Sequence, residues 1–162
     1  MDEEMVRRWN EVVKDGDKIY HLGDVVINQK FINILGRLNG TKRLVRGNHD
    51  IFKTKVYLEY FKEIYGIRVL EDIVLTHVPL HRESITQRWG TNVHGHLHAN
   101  IVTKQSPYSN RDEDRLLDPL YCNVSVEQID YRPIEFSELR ERIRKNRQLY
   151  GDPSHGSYVH KK

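Results

Sequence analysis

The chain has 162 residues, 38% of them hydrophobic, which is enough for one sizeable core but hardly for two, so a single domain is expected. Its 26 Lys and Arg against 23 Asp and Glu leave a net charge of +3, too mild to make nucleic-acid binding the leading idea. No run approaches the ~18 apolar residues of a membrane span, no leader pattern precedes a cleavage site, and the lone Cys122 has no internal disulfide partner. Together these features predict a cytoplasmic, reducing setting away from the membrane.

Met5, Trp9, Val12 and Val13 fall on one helical face, with Asp2, Glu3 and Glu4 in the first turn and Gly16 beyond the end, and predict a first helix. A short buried strand follows over Ile19 to Leu22 and runs into a loop at Gly23-Asp24. Phe31, Ile34, Leu35 and Leu38 recur at helical spacing and predict a helix over Lys30 to Leu38. A strand through Leu44 and Val45 breaks at Gly47, a third helix is expected near Lys55 to Tyr65, and "IRVLEDIVLTHVP" reads as two strands with a turn at Glu71-Asp72. Residues 104 to 118 read as a polar surface loop. More strand is expected in "LYCNVSVEQIDYRPIEF", and Ser137 offers an N-cap for the helix "ELRERIRKNRQLY". The final "GDPSHGSYVHKK" lacks apolar periodicity and reads as a tail. This order of strands and helices suggests an α/β layered domain.

The chemistry emerges when the loops are collected. Gly23-Asp24, Gly47-Asn48-His49-Asp50, Thr76-His77 and Gly95-His96-Leu97-His98 each follow a predicted strand, and such loops converge at one edge of an α/β sheet. Each has a plain reading alone: a Gly-Asp turn, a tight turn with Asn48 left-handed, or alternating histidines on the polar face of an edge strand. Taken together, four strand-end motifs with carboxylate, amide and imidazole groups point to a metal site. Mixed oxygen and nitrogen donors suit manganese, iron or zinc, and the absence of paired cysteines argues against a structural zinc finger.

In their order, "GDV", "GNHD", "THVP" and "GHLH" resemble the motifs of the calcineurin-like metallophosphoesterase family, particularly its short bacterial and phage members, over roughly residues 1 to 135. The resemblance implies a four-layer sandwich of two β-sheets flanked by helices; residues 1–148 are read as one such domain and 149–162 as a flexible tail. It implies hydrolysis of phosphate mono- or diesters by a metal-activated hydroxide at a binuclear centre. The expected cofactors are divalent ions, manganese first with iron, zinc or nickel as alternatives, one or two per chain. By position, Asp24 would bridge both metals, Asn48, His77 and His96 would complete one, and His98 would bind the other. His49 would face the substrate and protonate the leaving oxygen or stabilise charge, with Asp50 orienting it. His94 is expected on the same face in a supporting role, His21 as a core residue near the site, and His81 with Arg82 facing the substrate.

The family's first motif, Asp-x-His at the end of its first strand, occurs nowhere in the 162 residues. The second metal would therefore keep only Asp24 and His98, and a core strand would be missing. A truncated or misassigned start is the expectation, ahead of a strand supplied by another chain or lost activity, and it predicts poor stability and weak turnover. A competing function is a degenerate module holding one metal or a phosphate through Asp24, Asn48, His77 and His96. Another is nucleic-acid binding through Arg140, Arg142, Arg144, Lys145 and Arg147. That idea is not favoured, because Glu138 and Glu141 stand four residues before Arg142 and Lys145, the spacing of stabilising pairs on a solvated helix. The identity of the phosphate-ester substrate and the oligomeric state are left open by the sequence.

Overall fold

The structure, a computed structural model, describes residues 2–86 and 88–151; the predicted tail therefore lies outside the described residues from 152 onward. It is an α/β fold in which three small sheets are flanked by helices. Helix α1 (Asp2–Val12) buries Val6, and Val13 is buried just past its end. Between them Trp9 donates its indole N–H to the Asn39 carbonyl at 3.0 Å, with its ring stacked 6.3 Å from that of His21.

The first sheet is wholly parallel, in the order β1 (Lys18–His21), β2 (Thr41–Val45) and β3 (Glu63–Tyr65). The predicted helix between β1 and β2 forms as a nine-residue 3-10 helix, Gln29–Arg37, whose start is capped by Asn28 accepting from the Lys30 N–H. Its tighter winding brings positions three apart onto one face, which is why Ile32 and Leu35 are both buried while Phe31 is left half exposed. The third predicted helix is reduced to a single turn, α2 (Thr54–Tyr57). Tyr57 and Phe61 carry the helical spacing and are fully buried, but Glu63, Ile64 and Tyr65 pair in register with Arg43, Leu44 and Val45. The β-branched and aromatic residues next to a ready parallel partner outweigh the local helical pattern.

The second sheet has the order β4 (Arg68–Leu70), β5 (Ile73–Leu75), β6 (Thr91–His94) and β9 (Tyr121–Asn123). β4 and β5 form an antiparallel hairpin at the predicted turn, with Glu71 at φ 54, and β5, β6 and β9 are mutually parallel. The short helix α3 (Arg82–Thr86) follows β5, burying Ile85. The segment expected to be one polar loop carries a two-stranded ribbon, β7 (Thr103–Lys104) with β8 (Leu116–Leu117).

Leu44 and Val45 show how one strand divides the interior. The pleat sends successive side chains to opposite faces. Leu44 joins Ile32, Leu35, Tyr57 and Phe61, whereas Val45 packs with Ile73, Leu75, Val93 and Cys122 from the second sheet and Leu139 and Ile143 from α4 (Phe136–Tyr150). Burying each of those aliphatic side chains contributes about 1.5–3 kcal/mol before the entropy of ordering is counted. The last helix begins one residue before Ser137, with Glu135 at the cap position, and runs two residues past the predicted domain end.

The basic side chains of α4 have partners within the protein. Arg140 pairs with Glu71 at 2.9 Å and with Asp72, Arg144 with Glu141 at 2.7 Å, and Lys145 with Glu141 at 3.7 Å. Arg142 donates to the Gln128 carbonyl at 3.1 Å and Arg147 to the Thr91 hydroxyl at 2.8 Å. Glu138 meets Arg132 at 3.6 Å instead of forming the expected pair with Arg142. No helix among the described residues is long and apolar enough to cross a membrane.

One buried carboxylate ties the loops after β1 and β2 together. Asp50, 2% exposed, accepts from the Asp24 N–H at 2.9 Å and the Gly47 N–H at 2.8 Å through Oδ2, and from the Val25 N–H at 3.0 Å through Oδ1. Asp50→Ala would orphan three backbone donors, so it is expected to lower unfolding free energy by about 3 kcal/mol or more in urea titration, with Asp50→Asn losing less. A loss below about 1 kcal/mol would show that the clamp is dispensable.

Two histidines make stability depend on pH. Burial pushes His21 down from its ordinary 6.5, opposed by the negative charge of Asp50, and burial likewise lowers His94, opposed by its hydrogen bond to the Gly95 carbonyl. Above 6.5 both are neutral in the folded and unfolded chain. Below it the unfolded chain takes up protons that the native state refuses, so their contribution to stability is lost as pH falls. Urea midpoints in chelator should fall between pH 7.5 and 5.5, and less so for His94→Gln; a flat or rising profile would refute this account.

Candidate metal site

The strands that carry the four motifs are parallel in pairs, β1 with β2 and β5 with β6, so their C-terminal ends deliver the loops to one place. The two sheets are joined there by a side chain. His77, just beyond β5, donates from Nδ1 to the carbonyl of Leu22 at the end of β1, 2.6 Å away. The Gly95 N–H in turn donates to the His77 carbonyl at 3.0 Å, fixing the loop after β6 to the same residue.

The opposite nitrogen of His77 is the centre of the cluster. Nε2 lies 2.9 Å from Asn48 Oδ1, 3.2 Å from Asp24 Oδ2 and 3.2 Å from His96 Nδ1. The two imidazole rings meet edge to face with centroids 5.0 Å apart. Asp24, His77 and His96 each offer a ligand atom within 4.8 Å of the others.

Tight approach of the loops explains the glycines. A Cβ on Gly23, whose φ is 91, would sit 2.6 Å from Gly47 Cα, and one on Gly47 would sit 2.6 Å from the Asp24 nitrogen. The ligand-type residues themselves carry the strain: Asp24, His96 and His98 have φ of 55, 65 and 51. Asn48, left-handed in the plain-turn reading of its loop, is not among the residues with positive φ. Left-handed backbone at non-glycine residues is costly and gathers where side chains must be aimed.

Proton accounting shows what the cluster needs. The Leu22 carbonyl only accepts, so Nδ1 of His77 carries a hydrogen, and a neutral ring then turns a lone pair from Nε2 toward a carboxylate and an amide oxygen. Such a cluster needs a hydrogen, from His96 Nδ1 or as a second proton on His77, or a metal ion. A cation satisfies it, and this donor set of carboxylate, amide oxygen and imidazoles fits a divalent first-row ion. The chain thus presents a small Asp/His/His cluster of the kind that binds metal.

The remaining predicted site residues are distributed as follows. His49 is exposed beside Asn48, and its backbone N–H donates to Asp24 Oδ1 at 2.9 Å. Asp50 sits behind it, with its carboxylate given to the three backbone donors described above. His98 lies outside the Asp24–His77–His96 group, 77% of its side chain exposed, with Nδ1 2.8 Å from Glu127 Oε1. The strand stops at His94, so the alternating histidines do not share a strand face: His94 is buried against the Tyr121 ring, whereas His96 and His98 project from turns. His21 is packed between Trp9 and Phe61, with Nδ1 shut off from solvent and without a partner. His81 is exposed at the start of α3, and Arg82 is paired with the buried Asp118.

Glu127, on a 3-10 turn at Val126–Gln128, carries no motif that flags it in the sequence. Partial burial pushes its carboxyl up, but the hydrogen bond from His98 and one from its own backbone N–H outweigh this and hold it below the usual carboxylate range. The Leu22 carbonyl was equally hidden, since every residue has one.

No family model matches the chain. A solved structure, the protein of unknown function AQ665 from Aquifex aeolicus, aligns with a TM-score of 0.62 and 28% identity over 87% of this chain and 84% of that one. The uncharacterized protein MJ1445 of Methanocaldococcus jannaschii is 32% identical over 156 residues, 91% of this chain and 77% of the relative, and the chain belongs to the same protein family as MJ1445.

Proposed function

We propose that the chain binds one divalent cation through Asp24, His77 and His96, with Asn48 as a further oxygen ligand, and functions as a metal-binding module. The observation that carries this reading is the convergence of three ligand atoms, from Asp24, His77 and His96, within 4.8 Å of one another, with Nδ1 of His77 committed to the Leu22 carbonyl. Manganese, iron, nickel and zinc all suit the donor set.

A second reading is hydrolysis of phosphate esters at the same place, in a binuclear, four-layer fold of the calcineurin-like type. It is favoured by the order of the four loop motifs and by His49, which is exposed one residue from Asn48 and tied through its backbone to Asp24. A divalent cation held there would supply Lewis acidity toward a phosphoryl oxygen and acidify water near neutral pH. Within the chain, Asp24 and His77 would anchor the ion, and His49 would donate a proton or a hydrogen bond to the leaving oxygen. Asp50 would hold the two loops in register so that His49 and Asp24 keep their relation.

Metal content after dialysis against manganese or zinc tests the cation site that both readings need, and turnover separates the two readings. Wild type should retain at least one ion per chain, and Asp24→Ala or His77→Ala should weaken that ion by more than the ~10–100-fold that loss of a mere supporting partner costs. Unchanged binding in both variants would sink the site. Turnover of bis(p-nitrophenyl) phosphate that falls about 100-fold or more in His49→Ala would establish the esterase reading. Bound metal without turnover would leave the binding module.

A further inference from the structure

The proposed cation site leaves one feature unexplained: the support built under His98. Three side chains from one short segment, 123–128, converge on the turn that carries it. Asn123 donates to the carbonyls of His98 at 2.9 Å and Asn100 at 2.8 Å. Gln128 donates to those of His98 at 3.2 Å and Ala99 at 2.9 Å. Between them Glu127 meets the ring, with Oε1 2.8 Å from Nδ1. The backbone of His98 is left-handed, at φ 51, and that strain persists only because its surroundings hold it.

We propose that Glu127 is a positioning residue for His98: its carboxylate holds the ring proton on Nδ1, so that Nε2 is the basic nitrogen, offered to a divalent cation further to the one held by Asp24, His77 and His96. This rests on the metal-binding reading above. An ionised carboxylate can only accept, so the Nδ1 contact specifies the tautomer. Most of the ring is open to solvent, so nothing in the contact with Glu127 occupies Nε2. A histidine whose rear nitrogen is fixed by a carboxylate is the arrangement in which imidazole ligands are both aimed and made more basic. The same logic operates at His77, where the Leu22 carbonyl replaces the carboxylate. Sequence spacing links His96 and His98 as a pair, but the structure gives each its own support, and Glu127 belongs to His98 alone.

The test uses the full chain with 15N-labelled histidine. In metal-free protein at pH 8, multiple-bond 1H–15N spectra should show His98 protonated on Nδ1, retained in Glu127→Gln, whose Oε1 still accepts, and lost in Glu127→Leu. Adding Zn2+ should then shift His98 Nε2, with the His98 response weakened about 10–100-fold in Glu127→Leu while the His77 and His96 signals titrate as in wild type. His98 protonated on Nε2 in wild type, or a tautomer and a zinc response untouched by Glu127→Leu, would overturn the proposal. So would zinc that shifts His77 and His96 but leaves His98 unmoved. Zinc that shifts none of the three would instead remove the metal-binding reading itself, and with it the ligand role of His98.

Discussion

The hydrogen bond from His77 to the Leu22 carbonyl does two things at once. It joins the end of β1 in the first sheet to the residue just past β5 in the second, so the relative position of the loops is set by a buried contact of 2.6 Å. It also places a hydrogen on Nδ1 of His77 and leaves Nε2 to face Asp24 and Asn48. A structural bond between sheets thus aims the nitrogen at the centre of the candidate site. An apolar contact in the same place would join the sheets but leave no reason for a cation.

Around that bond the chain carries close approaches and left-handed backbone. Gly23 and Gly47 lie so close that neither has room for a Cβ, and Asp24 and His96 adopt left-handed backbone without being glycine. Asp50 compensates by satisfying three backbone donors from inside, which lets the loops after β1 and β2 stay compact. The carboxylate that the sequence suggested as an aid to His49 is thus placed to act on the loops as a whole.

The parts of the fold that were legible in the sequence are those whose pattern is local. The apolar face of α1, the strands through Ile19 and Leu44 and the turn at Glu71 all follow from short-range periodicity and turn chemistry. Lys55 to Tyr65 misled because Tyr57 and Phe61 have helical spacing, while the partner that makes Glu63–Tyr65 a strand lies about twenty residues earlier in β2. The alternation of His94, His96 and His98 imitates a strand beyond the point where the strand stops.

The site divides the same way. Gly-containing loops after strands, rich in Asp, Asn and His, are visible in one dimension because the chemistry needs those residue types and the turns need glycine. That was enough to single out Asp24, Asn48, His77 and His96 as neighbours. Only the tertiary structure decided that His77 is held by a backbone carbonyl, that His98 stands apart with Glu127, and that Arg82 is taken up by Asp118. The physical reason is range: side-chain identity and local conformation are written residue by residue, whereas the partner that fixes a proton or neutralises a charge comes from a distant strand end and is set by how the sheets pack.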